Sequence, residues 1–137
     1  DEPLPTGVHG HFSTGPYAGG RQTVHVVLQA REVDFSSYQG MVEFDQGVFR
    51  LVSVSEPRTD THFFNQSEAA NGHLPIAGFA TDGFDEPIAI TLSFSTPRAF
   101  KTGDIYLKLD VVGTSIGTEV PPALIYLRRE LVQGSGG

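Results

Sequence analysis

The chain carries its apolar residues in short runs that alternate with polar ones at every second position, the period of a strand with one buried face. The clearest run is 23–31, where Val24, Val26, Leu28 and Ala30 alternate with His25, Val27, Gln29 and Arg31. Phe35–Phe44 repeats the pattern, with Tyr38, Gly40, Val42 and Phe44 on one side. The β-branched run Val48–Val54 follows the Asp45-Gln46-Gly47 turn directly, so the two runs predict a hairpin. Further strands are predicted where Leu74, Ile76, Gly78 and Ala80 alternate, at Ile88–Phe94, and where Ile105, Leu107, Leu109 and Val111 alternate with Tyr106, Lys108, Asp110 and Val112. A loop over Gly113–Pro122 then leads to a last strand at Ala123–Val132. The polar stretch Glu56–Gly72 fits neither a helical nor a strand template and predicts a long loop. No segment repeats apolar residues at i, i+3, i+4 and i+7 over a helical length. Strands separated by turn signals predict an all-β fold, an antiparallel sandwich of the jelly-roll kind with about eight or nine strands. Residues 1–20 read as an N-terminal arm carrying a short first strand at Val8–Phe12, residues 21–133 as the sandwich, and residues 134–137 as a flexible Gly/Ser tail.

Composition agrees and removes several classes of chemistry. Gly and Pro supply 25 of 137 residues, above the roughly 12% of average usage, which suits a turn-rich fold. The absence of Cys excludes disulfides, thiol catalysis and Cys-ligated metal sites. Net charge is −7, and residues 1–86 hold twelve acids against four bases. This balance argues against nucleic acid, which needs a basic stripe, and favours a partner with a basic surface. No run approaches the roughly 18 apolar residues of a membrane span. A start at Asp1 with Met41 as the single methionine gives the expectation of an export signal removed, hence a periplasmic or extracellular protein.

The order of the strands resembles that of cohesin-type domains. The runs Val24–Leu28, Phe35–Asp45 and Val48–Val54 look like the opening half of that family, with an aromatic-Asp turn passing straight into an apolar strand that ends in Ser-Val. Gly72–Gly78 and Ile88–Phe94 resemble its paired later strands, so the likeness spans about Arg21 to Val132. The resemblance implies a jelly-roll sandwich related to carbohydrate-binding modules, acting without catalysis by docking another protein against one sheet face. It carries over no individual contact residue.

Gly113-Thr-Ser115-Ile-Gly117 has the spacing of a nucleophile elbow, but Pro121 and Pro122 forbid the helix that must follow. His9 and His11 point to one side of a strand, a workable but incomplete pair of metal ligands lacking an assigned third from His25, His62, His73 or a carboxylate. Asp82-Gly-Phe-Asp-Glu86 offers three carboxylates without the acid spacing of a calcium loop. Asn65-Gln-Ser67 fits a glycosylation sequon, relevant only in a eukaryotic secretory host. Two adjacent aromatics in a polar stretch mark His62-Phe63-Phe64 as the leading partner-contact candidate, with Tyr17 and Phe84 in predicted turns beside it.

The sequence therefore reads as a non-catalytic, exported interaction or scaffold subunit, without cofactor or metal, that docks onto a larger assembly. One instance is a periplasmic accessory subunit of a membrane complex such as a photosynthetic reaction centre. The alternative is a carbohydrate-binding module using Tyr17, Phe63 or Phe84.

Overall fold

Period-two alternation is realised as nine strands in a computed structural model that describes residues 5–55, 62–80, 83, 84 and 86–133. They are β1 (Gly7–Thr14), β2 (Arg21–Arg31), β3 (Ser37–Phe44), β4 (Arg50–Ser55), β5 (His62–Phe64), β6 (His73–Phe79), β7 (Ile88–Ser95), β8 (Ile105–Gly113) and β9 (Ile125–Gln133). One sheet has the order β4-β7-β2-β1-β9 and the other β5-β6-β3-β8. Every pairing is antiparallel except β1 with β9, which is parallel. No described helix is long and apolar enough to cross a membrane.

The inward phase of the central strands is the one read from the sequence. Val24, Val26 and Leu28 of β2 and Ile88, Ile90, Leu92 and Phe94 of β7 are buried against Tyr38, Val42 and Phe44 of β3 and Leu74 and Ile76 of β6. Each such side chain withdrawn from water contributes about 1.5–3 kcal/mol, which lets the sandwich hold by packing without a disulfide.

Three expectations change. First, residues 8–12 belong to a full-length strand: β1 lies inside the five-stranded sheet between β2 and β9, with Val8 and Phe12 in the core. Second, β3 and β4 form no hairpin. The Asp45 carbonyl accepts the N–H groups of Val48 and Phe49 at 3.1 and 2.8 Å, and its side chain accepts that of Gly47 at 2.9 Å. That tight turn buries Phe49 at the end of the core and sends the chain across to the other sheet, where β4 pairs with β7. The two runs read as paired later strands, β6 and β7, likewise fall in different sheets. Third, part of the predicted long loop is ordered structure: His62–Phe64 adds a short edge strand to β6, and Gln66–Asn71 forms a 3-10 helix that tucks Ala69 against the core. Residues 56–61 of that stretch lie outside the described residues.

Aromatic clusters close the two ends. At one, Phe49 and Phe100 stack at 3.9 Å and Phe94 meets Phe100 edge-on at 4.8 Å. Arg98 lies 5.0 Å above the Phe49 ring and forks onto Asp104, Nη1 to Oδ2 at 2.8 Å and Nη2 to Oδ1 at 3.1 Å. That hydrogen bond holds the Asp104 carboxyl below the usual carboxylate range, outweighing the opposing effect of partial burial. A depressed carboxyl stabilises the fold above its unfolded value of about 3.9 and loses that contribution as the pH falls through the depressed value. Asp104→Asn is expected to melt lower than the parent at neutral pH, with the deficit shrinking as the pH falls below the unfolded carboxyl's value of about 3.9. Thermal melts across that range check this; an undiminished deficit in acid would assign the loss to something other than the carboxylate charge.

Candidate functional site

The outward phase of the four-stranded sheet breaks the rule that alternation predicts, because much of it is apolar. Register aligns the outward side chains in rows. Phe63, Ala77, Gln39 and Val111 form one row across β5, β6, β3 and β8. Pro75, Met41 and Lys108 form the next, and His73, Glu43 and Tyr106 the one beyond. Phe79 stands diagonally beside Phe63, their rings 6.1 Å apart and 13° from parallel. Among the described residues eight large apolar side chains are exposed, and four of them share this face: Phe63 at 57%, Phe79 at 48%, Tyr106 at 50% and Val111 at 40%. A shallow cavity of about 330 Å³ runs between Phe63, Asn65, Pro75, Ala77, Met41 and Asp110.

Val111 reaches this face through an irregularity. Gly40 pairs with Leu109 and Gln39 with Val111, leaving Asp110 as an extra residue, a β-bulge that reverses the phase of β8. Val112 is buried in place of Val111, contrary to the simple alternation. Gly40 makes the close approach feasible: a Cβ there would meet the Lys108 carbonyl oxygen at 2.1 Å.

Among the described residues, the charged acidic and basic side chains of this face sit on β3 and β8. Lys108 Nζ lies 2.6 Å from Glu43 Oε1, and this hydrogen bond raises the Lys108 pKa. The pair is open to solvent and worth little to stability; its effect is to fix two charges beside Tyr106. Asp110 is exposed beside Val111.

Of the partner-contact residues singled out from sequence, Phe63 alone stands on this face. His62 faces inward at 7% exposure, with the Tyr38 hydroxyl 2.7 Å from its Nδ1. Phe64 and Phe84 are half-buried and pack against the core, and Phe84 lies 4.9 Å from Phe35 and 5.8 Å from His62. Tyr17 sits in the β1–β2 turn, donating its hydroxyl hydrogen to the Thr96 carbonyl, at the opposite end of the sandwich from Phe84. His9 and His11 lie on the outer face of the five-stranded sheet, and among the described residues no group of three or more His, Asp or Glu is arranged to hold a metal. Ser115 lies in a turn and donates to Asp34 Oδ2 at 2.6 Å, and no α-helix follows it. In the acidic turn, Asp82 and Asp85 lie outside the described residues. Phe79, Tyr106, Met41 and Val111 escaped the sequence reading. For Phe79, Tyr106 and Met41 the available signal was an apolar residue in the polar phase of a predicted strand; Val111 lay in the inward phase and gave none.

The fold is that of cohesin modules. No family model and no curated protein matches the sequence, but solved structures do. The sixth cohesin of scaffoldin B from Acetivibrio cellulolyticus, solved with a Cel5 dockerin, superposes with a TM-score of 0.67 at 14% identity, covering 94% of this chain and 100% of that one. A Clostridium thermocellum type I cohesin, also in complex with a dockerin, gives 0.69 at 8% identity over 98% and 99% of the two chains. A non-cellulosomal cohesin from the archaeon Archaeoglobus fulgidus gives 0.66 at 11% identity over 95% and 93%.

Proposed function

We propose that this chain is a non-catalytic docking module that binds another protein through the outer face of its four-stranded sheet, outside the cytoplasm. The observation that carries the reading is the contiguous patch of Phe63, Phe79, Ala77, Pro75, Met41 and Val111 set on a rigid sheet. A patch of large apolar side chains with polar residues at its border is the usual make-up of an interaction surface. That the same fold serves cohesins solved with bound dockerins adds support by analogy. The partner suited to it is a folded protein presenting an apolar ridge flanked by basic side chains, which complement Asp110 and the net charge of −7. A membrane-bound assembly, the reaction-centre instance included, draws on no residue of the face.

The carbohydrate-binding alternative relied on Tyr17, Phe63 and Phe84, and these lie at three separate places rather than in a row. Protein docking is therefore the stronger reading. The test uses the chain as bait on an extract of its native source, followed by amide hydrogen exchange on the purified complex. Slowed exchange in β3, β5, β6 and β8 is expected. Protection confined to the five-stranded sheet, or a chain that retains no partner, would overturn the proposal.

A further inference from the structure

A depression of about 390 Å³ lies between the Asp45 turn, β4 and the 3-10 helix, lined by Gln46, Phe49, Arg50, Leu51, Gln66 and Ala69, and its size is that of small-molecule sites. Its floor is apolar, since Phe49 and Ala69 are buried and Leu51 packs against the core. Its rim is polar, with Gln46, Arg50 and Gln66 all exposed. None of these residues belongs to the docking rows of β5, β6, β3 and β8.

Arg50 gives the depression its charge. Among the described residues its side chain forms no ion pair, hydrogen bond or ring contact, and no acid lines the depression. The acids nearby in sequence have partners of their own: Asp45 accepts the Gly47 N–H at 2.9 Å, and Glu68 accepts from Asn71 Nδ2 at 3.4 Å. The planar fork of an unpaired guanidinium fits a carboxylate in two parallel hydrogen bonds.

Gln46 folds back against the end of the 3-10 helix. Gly72 caps that helix at φ +84°, and a Cβ there would meet the Phe44 carbonyl oxygen at 2.5 Å and Gln46 Oε1 at 3.0 Å, so glycine leaves the room that the Gln46 amide occupies. The Gln46 and Gln66 amides each carry donors and an acceptor, the complement of a peptide group. β4 offers more of the same, because it ends its sheet and its outer backbone edge meets no strand among the described residues. The bulge at Val52, between the pairings of Leu51 and Ser53 with β7, limits the regular edge to Arg50 and Leu51, enough for about the last two residues of a chain.

A carboxylate, a neighbouring amide and an aliphatic side chain between them occur together at the end of a polypeptide. We infer that this depression captures the free C-terminus of a peptide. Arg50 takes the terminal carboxylate, Gln46 and Gln66 take the last peptide group, and the floor of Phe49, Leu51 and Ala69 takes an aliphatic side chain. The peptide runs antiparallel to β4, the direction that brings its C-terminus to Arg50 at the start of that strand.

Titration of the isotope-labelled chain with N-acetyl-alanyl-leucine, followed by amide chemical shifts, tests the assignment, with the corresponding C-terminal carboxamide as the uncharged probe and sodium acetate as the bare carboxylate. The free acid is expected to shift signals at residues 46–51 and 66–72, with the carboxamide and acetate each binding at least about tenfold more weakly. Arg50→Gln should weaken binding of the free acid about tenfold or more, and Gln66→Ala about threefold, neither lowering the melting temperature because both positions are exposed. Equal affinity for the acid and its carboxamide, acetate binding as tightly as the peptide, shifts absent or centred elsewhere, or an Arg50→Gln variant that binds as well as the parent would each overturn the assignment.

Discussion

Replacing Phe63 and Phe79 together by Ser is expected to weaken docking at least about 100-fold, because large aromatic anchors at an interface commonly cost 2 kcal/mol or more on truncation. The two rings are neighbours, their centroids 6.1 Å apart, so their effects will not simply add, and the double variant is the informative one. Stability should hardly move. Both side chains are about half exposed or more, and a cross-strand aromatic pair contributes about 0.2–1 kcal/mol. Phe64→Ser is the internal control: one residue along β5 the side chain turns inward and packs on the core, so this variant should lower stability by about 2 kcal/mol or more. Surface plasmon resonance against the captured partner, with thermal melts of each variant, separates the two effects. Undiminished affinity of the double variant would move the docking site off this face.

The contrast between Phe63 and Phe64 also shows what the sequence disclosed. Period two identifies which residues of β2, β3, β6 and β7 face inward, because burial of one face is a local property of a strand. It does not say which strand pairs with which. The crossing from β3 to β4 depends on the Asp45 turn and on Phe49 finding Phe100 fifty-one positions later, a long-range packing event. The bulge at Asp110 is equally hidden, since Val111 and Val112 are chemically alike and the close approach of β3 and β8 at Gly40 determines which one turns inward. The docking face was legible only in part. Phe63 stood out because its neighbours are polar, whereas Phe79, Met41 and Pro75 sit in strands where an apolar residue draws no attention. Their place in the polar phase of an otherwise regular alternation is the mark of a surface kept apolar against the solvent preference.

Phe94→Ala is expected to cost about 3–5 kcal/mol, the range for emptying a buried aromatic site. A domain of this kind has about 5–15 kcal/mol of stability in all, with no disulfide in this chain to limit the unfolded state. Phe94 is fully buried on β7. Its ring meets Phe44, from the opposite sheet, edge-on at 5.1 Å, and meets Phe100, which in turn stacks on Phe49. One side chain thus joins the two sheets to each other and to the turn that carries the chain between them, and none of these rings can shift into the vacancy without losing another contact. The melting temperature should fall by roughly 10–20 °C. Well below that reduced midpoint the variant should still bind its partner with undiminished affinity, because Phe94 lies on the far side of the core from the docking rows of β5, β6, β3 and β8. Denaturant titration gives the stability change, and a loss under about 1 kcal/mol would mean that the sheets are not held together at this point.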